Sequence, residues 1–447
     1  MKAQKIYACI DLKSFYASVE CADRGLDPFT DRLVVADPER TSKTICLAIT
    51  PSMKDLGIKN RCRVFEIPHS ISYIMAKPRM RRYMEVSADI YQIYLSFVSA
   101  EDIHIYSIDE CFIDITAYLK FYNTDARGFV KMLMGAVFEK THICATAGIG
   151  TNLFLAKVAL DVTAKHSPGN ISFLDKASFQ REIWFHQPIT DIWNIGPGIA
   201  RRLSKYGVHD LAGIAAMHKE TLFKEFGVNA EYLIDHAWGQ EPCTIADIQA
   251  YKPSAHSITN GQVLPCAYSF EEARMVISEM IDESVLELIE LGLVSDHISL
   301  YIDYARDKNA HESSGNAQNA LFEGGHGKRR VHARSAYKHT GGSRKLGGRS
   351  NSRKFLRDHF LQLFDETTLR NAPVHRINIS FGNLLPEQYA STSLFDDQEA
   401  EAKEHNLQKA LVTLRGKYGK NSLLKGISLK EKATARERNE QIGGHHA

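Results

Sequence analysis

Residues 103–115, IHIYSIDECFIDI, hold two short apolar runs, Ile103–Tyr106 and Cys111–Ile115, joined by Ser107-Ile108-Asp109-Glu110. Runs of this length, rich in β-branched and aromatic residues and bounded by a short polar stretch, are typical of paired strands. The segment therefore predicts a tight hairpin that carries two adjacent acids, Asp109 and Glu110, at its turn.

A third acid lies close to the start of the chain. Residues 5–10, KIYACI, predict a buried strand, Asp11 follows at its end, and residues 15–20 begin a helix. In a small sheet the end of this strand and the hairpin turn can lie side by side. The sequence therefore predicts that three carboxylates converge.

The surrounding elements predict a sheet domain in the first 167 residues. Residues 79–99, 127–139 and 151–164 predict helices, and ATAGIG at 145–150 predicts a strand that runs into a glycine turn. Further strands are predicted at 33–36 and 44–49, and a short helix at 51–57. The βαββαβ-like order favours an α+β domain with helices on one face.

The rest of the chain changes character twice. Residues 188–240 predict short helices broken by glycines, and 241–256, without a clear period, predict a linker. Strands return between 257 and about 385, around predicted helices at 270–292 and 352–364. The tail from residue 386 is polar and is predicted to be flexible in part.

A basic insert interrupts this last domain at about 306–357. It holds 13 Lys and Arg against three acids, together with eight Gly. A segment so polar and glycine-rich is predicted not to bury enough surface to order itself alone. Two interpretations stay open: non-specific attraction to nucleic-acid phosphates, or a solvated loop without a role.

Composition excludes several classes of protein. The net charge is +2, and none of the 8 Cys lies in a Cys-x-x-Cys pair, which argues against a zinc ribbon or a disulfide scaffold and favours a reducing cytosol. The N-terminus does not resemble a signal peptide, and no run approaches the roughly 20 apolar residues of a membrane span. These features predict a cytoplasmic protein with no membrane partner.

The three acids suit a metal site. Converging carboxylates repel each other unless cations neutralise them. Oxygen ligands that leave room for water suit Mg²⁺, and two such ions drive in-line phosphoryl displacement. The alternative is that Asp109 and Glu110 are ordinary turn residues, because Asp is common in turns.

Three strings together resemble the palm motifs of Y-family DNA polymerases, most closely the UmuC-like bacterial branch. They are IDLKSFYASVE (10–20), YSIDECFIDIT (106–116) and GIGTNLFLAKVALD (148–161), in the family's order. The resemblance covers roughly residues 5–385. It implies an α+β multidomain right-hand polymerase whose predicted parts are a palm (1–30 and 78–167), small fingers (31–77), a thumb (168–240), a linker (241–256), a little finger (257–385) and a tail (386–447).

The resemblance also implies the metal ligands. Asp11 and Asp109 match the acids expected to bridge two Mg²⁺ ions, for which Mn²⁺ can substitute. Leu12 matches the position whose backbone carbonyl helps to hold the nucleotide-side ion. Glu110 matches the acid expected to bind the ion at the primer 3′-hydroxyl.

The nucleotide site follows from the same motifs. Tyr16 matches the steric gate, whose ring excludes a ribose 2′-hydroxyl, and the neighbouring Phe15 is expected to shape the sugar pocket. Lys157 matches a lysine expected on the triphosphate. Lys54 keeps a cation where many relatives have Arg.

The chain departs from the family at two further positions. Pro51 stands where many relatives have Tyr, and Lys13 stands where Asp or Asn is frequent. Both departures leave open how tightly the nucleotide is held.

The predicted DNA-holding parts lie further along the chain. Residues 191–208, DIWNIGPGIARRLSKYGV, resemble a helix–hairpin–helix, in which Gly196 and Gly198 would expose backbone N–H groups to a DNA phosphate. Arg201 and Lys205 follow on the second helix. A plain helix–helix turn is the alternative.

The tail offers one further candidate. Leu394 and Phe395 resemble the end of a sliding-clamp-binding peptide, although Ser391 stands in its usual Gln place.

These features predict template-directed DNA synthesis across damaged templates with low fidelity, by a monomer that binds primer–template DNA and dNTPs. One alternative is a DNA-binding scaffold with a weak polymerase site. Another is a different palm-type enzyme such as a nucleotide cyclase, which would consume a triphosphate without any primer.

Overall fold

The computed structural model of the protein describes residues 4–253, 256–305, 339–391 and 398–447. The chain divides into two compact units, of which the first comprises Met1–Lys252 with His445–Ala447 and the second Pro253–Gly444. Within the described ranges, no helix is both long and apolar enough to span a membrane.

The first unit is built on a five-stranded sheet. Its strands and those of a smaller sheet are, in chain order, β1 (Tyr7–Leu12), β2 (Leu33–Val35), β3 (Ala48–Ile49), β4 (Ile74–Ala76), β5 (Ile103–Ile105), β6 (Glu110–Asp114), β7 (Ala145–Gly150) and β8 (Ile171–Leu174). The larger sheet has the order β5-β6-β1-β7-β8, and the smaller has the order β3-β2-β4.

Helices cover both faces of the larger sheet. The helices of the first unit are α1 (Phe15–Ala22), α2 (Pro51–Asp55), α3 (Met80–Leu95), α4 (Thr116–Phe121), α5 (Ala126–Thr141), α6 (Leu153–Val158), α7 (Lys176–Glu182), α8 (Pro197–Leu203), α9 (Leu211–Ala216), α10 (Lys219–Phe226), α11 (Ala230–Ala237) and α12 (Ile245–Ala250). Helices α1, α3 and α5 pack on the face that carries Ala8 and Ile10, while α6 and α12 pack on the face that carries Cys9 and Phe112. The prediction of helices on one face alone was therefore wrong.

Two glycines of β7 explain the second layer. A Cβ on Gly148 would lie 2.1 Å from the carbonyl oxygen of Ala156, and a Cβ on Gly150 would lie 2.2 Å from the Ala156 nitrogen. Only a residue without a side chain allows α6 to approach the sheet so closely. Helix α6 continues as a π-helical turn, Ala159–Thr163.

The predicted boundary of the palm at residue 167 cuts this sheet. Strand β8 pairs in parallel with β7, in the register Ala147↔Ile171 to Gly150↔Leu174. Residues 171–174 are therefore part of the same sheet. Helix α7 follows, and α8 to α11 form the helical region predicted for 188–240. Its buried residues, among them Leu203 and Leu233, share a core with Phe154 of α6 and Leu174 of β8.

The second unit is a four-stranded antiparallel sheet backed by helices. Its main elements are β9 (Ile258–Tyr268), α13 (Phe270–Glu290), β10 (Leu293–Tyr304), β11 (His339–Ser350), the helix Arg353–Thr367 and β12 (Val374–Gly382). Strand order is β11-β10-β12-β9, with the short strand Leu385–Pro386 beside β10. Buried side chains of α13 and of the helix Arg353–Thr367 fill the core against one face of the sheet.

Two segments predicted to be irregular are ordered. Residues 245–250 of the predicted linker form α12, because Thr244 and Asp247 make a reciprocal capping box at its start. Residues 339–350 of the basic insert form β11, which pairs along β10 from Asp303↔His339 to Ser295↔Ser350. Pairing at a sheet edge requires only backbone N–H and C=O groups. Residues 306–338 lie outside the described residues.

The tail predicted to be flexible in part contains the helix Gln398–Tyr418, followed by the short helix Ala435–Arg438 and the short strands Gln441–Ile442 and His445–His446. Several of its contacts with α13 involve acidic side chains of that helix. Arg415 lies 2.7 Å from Glu283, Lys425 lies 2.9 Å from Asp282, and the Thr434 amide donates to Glu279 over 2.9 Å.

Candidate active site

The hairpin and the first strand bring the three predicted acids together. Strands β5 and β6 pair antiparallel, and β6 pairs with β1 so that Asp11 stands directly opposite Glu110. The Leu12 amide donates to the carbonyl oxygen of Asp109 over 2.9 Å. Asp109, the last turn residue, is thus fixed by its backbone to the end of β1, as predicted for this hairpin.

The surroundings of Asp11 disfavour its charged form. Its burial, followed by the charges of Asp109 and Glu110, raises the pKa of Asp11 to about 7, against the opposing effect of Lys165 and Lys157. Burial is the largest cause of this shift and the two neighbouring acids add to it, so the charged form of Asp11 is disfavoured unless a cation compensates it. Asp109 accepts a hydrogen bond of 2.7 Å from the Ser107 hydroxyl.

Glu110 already has a cationic partner. The Nζ of Lys157 lies 2.6 Å from Glu110 Oε1, and the thiol of Cys9 donates to the same oxygen over 3.1 Å. On its other side Lys157 lies 3.1 Å from Asp161. Burial disfavours the charge of Lys157, but the surrounding acids, Asp161 and Glu110 among them, outweigh it and raise the pKa of the amine.

This partnership bears on the predicted metal site. Among the described residues, no group of three or more His, Cys, Asp and Glu side chains is arranged to hold a metal ion. The donor chemistry nevertheless fits Mg²⁺, because Asp11 on β1, Glu110 on β6 and Asp109 in the adjoining turn offer hard carboxylate oxygens, and a divalent cation would relieve their repulsion. The role of the Leu12 carbonyl remains a prediction.

The predicted steric gate rests on a second aromatic ring. The rings of Tyr16 and Tyr83 stack with centroids 4.4 Å apart and planes 15° from parallel. The Tyr83 hydroxyl donates to buried Glu20 over 2.8 Å, and Arg79 lies 2.9 Å from the same carboxylate. Tyr16 thus has a rigid support, whereas Phe15 is buried in the core beneath it rather than open to a pocket.

Lys54, from the predicted fingers, reaches the palm. Its Nζ donates to the Ser14 hydroxyl over 2.7 Å. Burial, together with the charges of Lys165 and Lys13, lowers the pKa of Lys54, while Asp11 opposes this shift. Lys13, one of the departures from the family, donates to Asn170 over 2.6 Å.

Sequence reasoning missed Lys165. This lysine is exposed, and its charge acts on both Asp11 and Lys54. Lys157, predicted to bind the triphosphate, is buried, and its Nζ lies 2.6 Å from Glu110 and 3.1 Å from Asp161. The sequence did contain a second lysine, Lys165, eight residues after Lys157. It lies beyond the motif GIGTNLFLAKVALD, which ends at residue 161.

The predicted helix–hairpin–helix residues lie at the start of α8. Gly196 is the N-cap and Gly198 lies in the first turn, and space is open where a Cβ would stand on either residue. Arg201 is exposed, while Lys205 lies 3.6 Å from Glu225. The predicted clamp-binding residues Leu394 and Phe395 lie outside the described residues.

The metal-free protein should gain stability from Asp11→Asn at alkaline pH. The pKa of folded Asp11 is about 7, whereas an unfolded Asp titrates near 4, so the folded chain binds this proton more tightly. The resulting penalty is absent below about pH 4, grows as the pH rises, and is complete above about pH 7. Urea unfolding in EDTA should show a gain of about 1–4 kcal/mol at pH 8 and a smaller gain at pH 5.

The matched control for this prediction is Asp89→Asn, which changes an exposed carboxylate of α3. It should leave the free energy of unfolding nearly unchanged at both pH values. An equal gain from Asp11→Asn at pH 5 and pH 8 would contradict the assigned pKa.

Comparison with known proteins agrees with this geometry. Residues 10–161 match the impB/mucB/samB family, and residues 255–394 match the C-terminal domain of the same family. The chain is 27% identical to DNA polymerase IV 2 of Bacillus subtilis, over the full length of both chains. It is 30% identical to DNA polymerase IV of Moorella thermoacetica, over 63% of this chain and 68% of that one.

A solved structure agrees in fold. A Y-family DNA polymerase chimera matches with a TM-score of 0.61 and 20% sequence identity, covering 85% of this chain and 99% of the chimera. The α+β multidomain fold predicted from the sequence is therefore confirmed.

Proposed function

The chain belongs to the impB/mucB/samB family of Y-family DNA polymerases, and we propose that it extends primers across damaged templates with low fidelity. The reaction is nucleotidyl transfer from a dNTP to the primer 3′-hydroxyl, with release of pyrophosphate. Two Mg²⁺ ions are the proposed cofactors, and Mn²⁺ is a proposed substitute. The substrates are primer–template DNA and dNTPs.

One observation carries this proposal. Asp11 on β1 lies opposite Glu110 on β6, and the backbone carbonyl of Asp109 accepts a hydrogen bond from Leu12 at the end of β1. Burial and the charges of Asp109 and Glu110 raise the pKa of Asp11, and a bound cation would offset both effects. Bound Mg²⁺ would lower the pKa of the attacking hydroxyl and neutralise the charge of the leaving pyrophosphate. Asp11, Asp109 and Glu110 would hold the ions.

The remaining residues position the substrate, since in this reaction the nucleophile and the leaving group both belong to substrates. Tyr16, supported by Tyr83, places an aromatic ring against the sugar. Lys54 and Lys165 supply positive charge for the triphosphate.

The DNA-holding parts are proposed from separate features of the two units. In the first unit Gly196, Gly198, Arg201 and Lys205 would bind a backbone phosphate without reading sequence. In the second unit the sheet face opposite the helices carries polar and cationic residues at alternate positions; these include Tyr301, Lys345 and Arg376. This face is the proposed duplex contact of the little finger.

Further partners are proposed from the sequence alone. The sliding clamp would bind through Leu394 and Phe395. We also propose that the protein acts as a monomer in the cytoplasm.

The alternatives differ in their need for a primer. Pyrophosphate release from a mixture of dNTPs should require both primer and template, and the inserted base should follow the template. Turnover of a triphosphate without a primer would support a nucleotide cyclase. DNA binding without turnover would support a scaffold.

Lys165→Met should weaken nucleotide binding. Removing one cation that faces the triphosphate should raise the KM for dNTP about tenfold, because a charged hydrogen bond contributes about 1.5–3 kcal/mol. Steady-state single-nucleotide insertion measures this value. Lys131→Met, at an exposed lysine of α5, is the control, and an unchanged KM in Lys165→Met would remove Lys165 from the nucleotide site.

A further inference from the structure

We propose that Lys157 is a positioning residue that fixes the carboxylate of Glu110, and not a ligand of the triphosphate. It holds Oε1 of Glu110 and leaves Oε2 available, and Oε2 would bind the proposed primer-side metal ion. This inference rests on the proposed polymerase function.

The contacts of Lys157 hold its amine beside the Glu110 carboxylate. Its side chain is 8% exposed and that of Glu110 is 10% exposed, and their charged atoms are 2.6 Å apart. Asp161 lies 3.1 Å from the same Nζ, and the Tyr106 ring lies under it at 5.7 Å from its centroid. A lysine held by two carboxylates and an aromatic ring in a buried site is not available to reach a triphosphate in solvent.

A second donor acts on the same oxygen. The Cys9 thiol, fully buried on β1, donates to Glu110 Oε1 over 3.1 Å. Oε1 therefore has two partners, the Lys157 amine and the Cys9 thiol. Within the described part of the chain, Oε2 makes no hydrogen bond or ion pair. The two carboxylate oxygens of Glu110 therefore differ: Oε1 is held by the protein and Oε2 is available to a ligand.

The fold explains why a lysine of α6 can stand there. Gly148 and Gly150 allow α6 to lie directly on the sheet, and Gly148 stands opposite Cys9 in the β1–β7 ladder. Lys157, in the last turn of α6, thereby enters the same face of the sheet as Cys9, Asp11 and Glu110. With a larger residue at either glycine, the helix would stand further out.

The consequence for catalysis is preorganisation. Glutamate has three rotatable side-chain bonds, and next to Asp11 and Asp109 an untethered Glu110 would turn away from their negative charge. A group held in place before the substrate arrives does not have to be ordered during the reaction. Outer partners of metal ligands typically contribute 10–100-fold to activity or metal affinity.

Lys157→Met tests the proposal, because methionine keeps an unbranched chain of similar length without the charge. Two quantities are measured on the full-length protein with primed DNA: the Kd for dNTP on a dideoxy-terminated primer, and the single-turnover insertion rate at saturating dNTP. The expected result is a rate about 10–100-fold lower with the Kd changed less than about twofold. Lys165→Met should show the reverse pattern.

A double-mutant cycle separates positioning from general structural damage. If Lys157 acts through Glu110, then Lys157→Met should lower the insertion rate much less in a Glu110→Gln background than in the wild-type protein. Additive effects in the cycle would contradict the proposal. Cys9→Ala should give a smaller loss of rate with the same unchanged Kd, which keeps the test open if Lys157→Met does not fold.

The outcomes are distinct from those that test the polymerase function. A Kd that rises tenfold or more in Lys157→Met, with the rate preserved, would place Lys157 on the triphosphate and overturn the inference. Unchanged rate and Kd would overturn it as well. Failure of the intact protein to extend any primer would instead reject the function on which the inference rests.

Discussion

Asp109→Ala should abolish primer extension while leaving DNA binding intact. Asp109 is one of the two acids proposed to bridge both metal ions, and its backbone carbonyl, which receives the Leu12 amide over 2.9 Å, does not depend on the side chain. The substitution therefore removes the proposed metal ligand and keeps the backbone hydrogen bond that joins the hairpin to β1. The insertion rate should fall by about 10³-fold or more, because each of several charges in such a site contributes several kcal/mol.

The measurement is single-turnover insertion, together with binding of a fluorescent primer–template. Asp89→Asn, an exposed carboxylate on α3, should retain full activity. Insertion by Asp109→Ala within about tenfold of the intact protein would show that the metal ions are held elsewhere.

Tyr16→Ala should admit ribonucleotides. The Tyr16 ring is stacked at 4.4 Å on the fully buried ring of Tyr83, so it cannot retreat from a 2′-hydroxyl. Steric exclusion of this kind is lost when the obstructing side chain is removed. The ratio of kcat/KM for dNTP to that for rNTP should fall by about 10²-fold.

Tyr83→Phe is the matched control for the gate. It removes only the hydroxyl that donates to Glu20 and keeps the stacked ring, so discrimination against ribonucleotides should remain within a few-fold of the intact protein. If Tyr16→Ala discriminates as well as the intact protein does, Tyr16 is a core aromatic and not a gate.

The positions of the acids could be predicted from the sequence because they depend on local patterns. Two apolar runs around Ser107-Ile108-Asp109-Glu110 leave little choice but a hairpin, and strand pairing then sets Glu110 opposite Asp11. The partner of Glu110 could not be predicted in this way. Whether Lys157 faces solvent or the sheet depends on how closely α6 approaches, and that distance is decided by Gly148 and Gly150 on another element.

Strand β11 was missed for a different reason. Residues 339–350, HTGGSRKLGGRS, show no alternation of apolar residues and have four glycines. Leu346 alone is buried from this strand, and the ladder with β10 is held by backbone pairing. A strand is recognised in a sequence mainly by its pattern of apolar side chains. An edge strand held by backbone pairing with its neighbour shows little of that pattern.

The central claim is tested most directly by primer extension with Mg²⁺ and dNTPs on two templates, one undamaged and one with a single abasic site ahead of the primer. The account predicts extension on both, with insertion opposite the abasic site and synthesis beyond it. Extension of the undamaged template that stops one nucleotide before the abasic site would contradict lesion bypass. No extension on either template by protein that binds the DNA would contradict the polymerase assignment itself.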